Sequence, residues 1–109
     1  MTGFAETYLR ETADIVAALN ADENLKRQVW NKASKIPDYA SSVWRRDVCG
    51  SVLRYLDHGN TNSRYGWEID HDIPTSRGGT DDLTNLQPLY WETNRQKGDT
   101  YHWKCESVA

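Results

Sequence analysis

The stretch Trp67-Glu68-Ile69-Asp70-His71-Asp72-Ile73-Pro74 constrains this chain more than any other. An acid and a histidine stand side by side where an apolar, aromatic run ends. A polar loop with Gly78-Gly79 follows, then Asn85-Leu86-Gln87-Pro88-Leu89, then Asn94-Arg95-Gln96-Lys97. On a regular strand, neighbouring side chains point to opposite faces. Asp70 and His71 can therefore serve one site only at a strand end or turn, and Pro74 and the loop supply that end.

The order of residue types suits phosphodiester hydrolysis. The attacking water is a poor nucleophile, and negative charge builds at phosphorus and on the leaving oxygen. A base and a cation answer these two difficulties. His71 is the side chain in the motif that titrates near neutrality, which makes it the candidate general base. Asp70 is a candidate metal ligand from the strand, and Asn94 a second, neutral oxygen ligand from a following helix. Two oxygen ligands favour a hard cation such as Mg²⁺ or Mn²⁺, with waters and substrate phosphate completing its shell. Asn85 can bond backbone groups across the loop and so keep His71 oriented. Arg77, Arg95 and Lys97 are candidate phosphate contacts, and a solvated charge is the competing reading for each.

The surrounding pattern predicts the elements that carry these residues. Apolar positions Phe4, Tyr8, Ala13, Ile15, Val16 and Leu19 make a helical stripe over Gly3 to Leu19. Asn20-Ala21 should break it. Asp22 should cap a second helix carrying Leu25, Val29, Trp30 and Ala33, which Ile36-Pro37-Asp38 ends. Ser41 to Asp47 reads as a short helix or a turn. Gly50 to Leu56 and Tyr65 to Asp70 read as the two strands of an antiparallel hairpin. Pro88 suits the first turn of a helix that runs to about Lys97 and stops at Gly98. The expected fold class is α+β, one domain over 1–109, with a helical part at 1–43 and a strand, strand, loop, helix core at 44–109.

Composition sets the outer limits. A chain of 109 residues supports one small core. Mean hydropathy is −0.83, yet there are five Trp and six Tyr, so aromatic rings must supply much of that core. Trp67, Trp91 and Trp103 are expected there. His58 is expected in a turn, and His102 outside the site. No apolar run approaches the roughly 20 residues of a membrane span. The N-terminus lacks a signal peptide's basic start and apolar centre. The expectation is a soluble, cytoplasmic protein with no membrane partner. Cys49 and Cys105 are then expected as buried thiols, with a pair that meets in the fold as the alternative.

The net charge of −3 argues against a general nucleic-acid coat protein. From Leu25 to Leu56, however, Lys26, Arg27, Lys32, Lys35, Arg45, Arg46 and Arg54 face only Asp38 and Asp47, an excess of five positive charges. A basic middle beside an acidic motif fits a protein that grips a phosphate backbone and holds a cation. Two solvated helix faces are the plainer alternative.

Asp70-His71, Asn85 and Asn94, together with Pro74, Gly78-Gly79, Asn85-Leu86-Gln87-Pro88-Leu89 and Lys97, resemble the HNH endonuclease family. The likeness covers roughly Tyr65 to Asp99. Trp44-Arg45-Arg46-Asp47 and Cys49-Gly50 are similar to a subgroup of small bacterial and phage members. The resemblance implies a ββα-metal core of hairpin and helix, preceded here by N-terminal helices. It implies His71 as general base, Asp70 and Asn94 as metal ligands, and Asn85 as the structural residue. Asn94 stands where many members have His. Tyr90 and Thr93 stand where a cysteine pair for a structural zinc would fall, so no structural zinc is expected. Asp72 stands at a position that is commonly Ile. The implied activity is DNA cleavage with one divalent cation, leaving a 5′ phosphate, with RNA an open alternative substrate. A non-catalytic nucleic-acid-binding module of the same fold is the competing function. A protein partner on the N-terminal helix is a third.

Overall fold

The computed structural model describes residues 3–105, with side chains from Thr12 onward. It opens with one helix, α1 (Gly3–Trp30), which runs unbroken through Asn20-Ala21. The expected break is absent for a physical reason. Asn costs a helix only about 0.7 kcal/mol relative to Ala, and neither Gly nor Pro stands there to stop it. Asp22 therefore lies within the helix rather than at its start. Phe4 and Tyr8 of the predicted stripe fall outside the described side chains. Ile15, Val16 and Leu19 are exposed, and burial begins only at the last turn, where Val29 and Trp30 enter the core.

Three short strands follow, β1 (Ser34–Lys35), β2 (Trp44–Arg46) and β3 (Val52–Arg54), in an antiparallel sheet of order β1-β2-β3. The helical part thus ends earlier than residue 43, and Ser41 to Asp47 contributes a strand. Arg45 points inward and donates to the carbonyls of Asn31, Ala33 and Ser41. It closes the chain just past the C-terminal end of α1, where the helix dipole favours a cation. This arginine serves the fold and is removed from the basic surface counted above.

The second sheet pairs β4 (Trp67–His71) with β5 (Leu86–Tyr90), antiparallel, with Asp70 opposite Gln87 and Ile69 opposite Pro88. This corrects the expected hairpin. The segment from Gly50 pairs with β2 instead, and turns into a short 3₁₀ helix at Tyr55–Asp57. Pro88 is a strand residue rather than a helix starter. In a two-stranded sheet every strand is an edge, where a missing N–H is tolerated. Helix α2 (Trp91–Lys97) follows directly and stops at Gly98.

The core sits between the end of α1 and the two sheets. Val29, Trp30, Leu53, Tyr55, Trp67 and Leu86 form it, with Ile69 and Tyr90 packed against it. Trp30 meets Tyr55 edge-on at 5.4 Å and Trp67 at 5.3 Å between ring centres. Each buried aromatic removes about 150–250 Å² from water, which is how so polar a chain closes a core. Trp91 and Trp103 are only half-buried. Lys32 crosses from the end of α1 to donate to the carbonyls of Leu83 and Leu86.

Cys49 and Cys105 form a disulfide, their Cα atoms 5.4 Å apart. The expectation of two buried thiols is corrected: the fold brings the β2–β3 turn and the tail after α2 together. No helix among the described residues is long and apolar enough to cross a membrane.

Candidate active site

Helix α2 lies over one face of β4, and this positions the site. Glu68 and Asp70 stand two apart on the strand and so share a face. Asn94 and Lys97 stand three apart on the helix and share a face there. The two pairs meet. Asn94 Nδ2 donates to Glu68 Oε1 at 3.1 Å, and Lys97 Nζ to Asp70 Oδ1 at 3.2 Å. Gln87, opposite Asp70 on β5, donates to Oδ2 at 2.9 Å. Lys97 also donates to the carbonyl of His71 at 2.8 Å.

His71 is the last residue of β4 and is half-buried. Its Nε2 lies in hydrogen-bond contact with Asp81 Oδ1 at 2.8 Å. Asp70, His71 and Asn94 line one recess of about 240 Å³, with Pro74, Thr75 and Ser76 from the loop on its rim. The strand end is what allows this. Beyond His71 the chain leaves the sheet, so consecutive side chains reach the same opening.

The loop between β4 and β5 is closed by Asn85. Its Oδ1 accepts from the Ile73 N–H at 2.8 Å, and its Nδ2 donates to the carbonyls of Ile73 (3.0 Å) and Thr80 (2.7 Å). The two glycines are needed here. Gly78 has φ of 90°, and a Cβ on Gly79 would lie 1.7 Å from the Ile73 carbonyl oxygen. One side chain thus ties both halves of the loop that starts at His71.

A second carboxylate supports the base of α2. Buried Asp47 accepts from the N–H groups of Cys49 and Ser51 in the β2–β3 turn, and from Tyr90 N–H at 2.9 Å. Tyr90 is the residue immediately before α2, so the turn and the helix start share one anchor.

The remaining sequence candidates divide. Arg95 is exposed and pairs with Glu68 at 3.0 Å. Arg77 is exposed at the end of a 3₁₀ turn and does not line the recess. Lys97 is 2% exposed and faces Asp70, so its ammonium is directed into the fold rather than toward solvent. Sequence reasoning missed Glu68, Asp81, Gln87 and Asp47. Only Glu68 carried a local signal, being two residues from Asp70 on the same strand face.

The donor set suits a hard divalent cation. Each Asp70 oxygen takes one hydrogen bond, and an ionised carboxylate has about four acceptor positions, so capacity toward the recess is left. With its nitrogen on Glu68, Asn94 has Oδ1 to offer. Among the described residues no three His, Cys, Asp or Glu converge on one point. Asp70 and Asn94 are the residues beside the open recess that could offer oxygens to a divalent cation, water completing its shell.

No curated protein and no solved structure matches the chain. The family model for HNH endonucleases matches residues 48–100, a span that runs from the β2–β3 turn past the end of α2 and contains every residue lining the recess. Through this segment the chain is similar to the HNH endonuclease family.

Proposed function

We propose that this protein is a divalent-metal-dependent endonuclease that hydrolyses phosphodiester bonds in DNA. The observation that carries the reading is the shared recess of Asp70, His71 and Asn94. His71 takes a proton from the attacking water onto a ring nitrogen, and Asp81 orients the ring through Nε2. Asn85 holds the loop that follows His71, which fixes where the imidazole stands. Asp70 and Asn94 would hold the cation, Mg²⁺ or Mn²⁺ by their oxygen chemistry. The chemistry such an ion would supply there is Lewis-acid polarisation of a phosphate and neutralisation of charge on a leaving 3′ oxygen. Lys97 and Gln87 keep the Asp70 carboxylate in place. Arg77 and Arg95, both exposed, are the proposed phosphate contacts outside the recess, Arg95 by exchanging its pairing with Glu68 for a phosphate.

Nicking of supercoiled plasmid tests this directly. Wild-type protein with Mg²⁺ or Mn²⁺ should convert plasmid to open circles, and His71→Ala should lower the rate about 10²–10⁴-fold, the usual worth of a general base. If both proteins behave alike with every metal tried, the nuclease reading fails, and a non-catalytic nucleic-acid-binding module takes its place.

A further inference from the structure

We infer that the outer face of the β1-β2-β3 sheet is a platform for single-stranded DNA, on which unpaired bases stack. Strand alternation creates this face. Arg45 and Leu53 point into the core, so Trp44, Arg46, Val52 and Arg54 point outward, with Trp44 opposite Arg54 and Arg46 opposite Val52. Tyr65 packs edge-on against Trp44 at 5.1 Å between ring centres. Tyr39 stands at the margin, 64% exposed. Ile36, Tyr39, Trp44, Arg46, Val52 and Tyr65 enclose a recess of about 310 Å³, roomy enough for a flat heterocycle. It shares no residue with the recess of Asp70, His71 and Asn94.

Charge selects the occupant. Arg46 lines the recess, while the guanidinium of Arg54 lies 6.0 Å from the Trp44 ring centre and that of Arg64 lies 5.9 Å from the Tyr65 ring centre. Among the described residues, the acid paired with these arginines is Asp57, 3.6 Å from Arg54. Three guanidinium groups around exposed Tyr39 and the half-buried rings of Trp44 and Tyr65, on a chain whose net charge is −3, call for a ligand that carries both flat rings and anions. An apolar protein surface lacks the anions, whereas a nucleic-acid strand carries a ring and an anion in every unit. Duplex DNA has its bases stacked inside, whereas a single strand offers base faces to the tyrosines and tryptophan and phosphates to the arginines. That the strand is DNA rests on the nuclease reading above.

The test is fluorescence anisotropy of a labelled oligo-dT, without divalent cation, using full-length protein. Binding should weaken as salt rises. Tyr39→Ala and Arg64→Ala remove exposed side chains, so their melting curves should match wild type. Each should weaken oligo-dT binding by about tenfold, within the range of one lost stacking contact, with duplex binding unchanged. Photocrosslinking of a 5-iodouracil oligonucleotide should label Tyr39, Trp44 or Tyr65. Equal oligo-dT affinity in wild type and both variants, crosslinks confined to other residues, or tighter binding of the matching RNA would each overturn the proposal. So would indifference to nucleic acid of every form, which would hand the face to a protein partner. With no cation present, failure here leaves the plasmid result standing, and failure to nick leaves this result standing.

Discussion

Lys97 and Asp70 are 2% and 6% exposed and face each other at 3.2 Å. Taking one member from a buried pair strands the other, at a cost of about 3–5 kcal/mol. Lys97→Met should therefore destabilise the protein by that amount in urea unfolding. Adding Asp70→Asn should recover part of the loss, because the uncompensated charge is then gone. If Lys97→Met unfolds at the wild-type midpoint, the pairing is wrong. At this scale the sequence was informative about Asp70, His71, Asn85 and Asn94, whose types and spacing carry a chemical meaning. It was poor on their partners. Gln87 meets Asp70 only through the β4–β5 register, and Asp81 meets His71 only through the path of the loop. Lys97 was legible in part. Three residues from Asn94 on a helix, it had to share that residue's face, which already pointed at the site rather than at solvent.

Among the elements, the helix that ends at Gly98 and the strand ending near His71 could be read from local signals. The partner of that strand could not. The alternating run Gly50–Leu56 predicts the wrong partner because it is near in sequence, and Leu86–Tyr90 carries no strand reading of its own. Pro88 deepened the error, since its fixed φ suits a helix start and an edge strand alike. The long α1 carries a further expectation. Ile15 and Leu19 are 61% and 62% exposed, although their spacing reads as a buried stripe. Replacing both with Gln should change stability by less than about 0.5 kcal/mol per site, with helical circular dichroism retained. A larger loss in urea titration would mean that this face is covered in the free protein.

Taken whole, the molecule measures 68 × 37 × 25 Å, and the elongation fits a helix whose burial begins only at its last turn. The compact remainder is closed by one covalent link, Cys49–Cys105, across a separation of 56 residues. Closing a loop of that length restricts the unfolded chain by about 4 kcal/mol in the chain-entropy account. The double variant Cys49→Ser/Cys105→Ser should lose stability on that scale, read from urea midpoints with and without reductant. Unchanged midpoints would show that the link contributes nothing. The expectation of free thiols followed from that of a cytoplasmic protein, and a disulfide is the state that an oxidising compartment favours.

The same bond has a topological meaning. Asp70, His71, Asn85 and Asn94 all lie between its two cysteines, so the whole candidate site is carried on a closed ring, with α1, β1 and β2 ahead of it. A protease that cuts the ring once, in the exposed loop at Thr75–Thr80, releases no fragment. The two pieces migrate as one band until a thiol reagent opens the bridge.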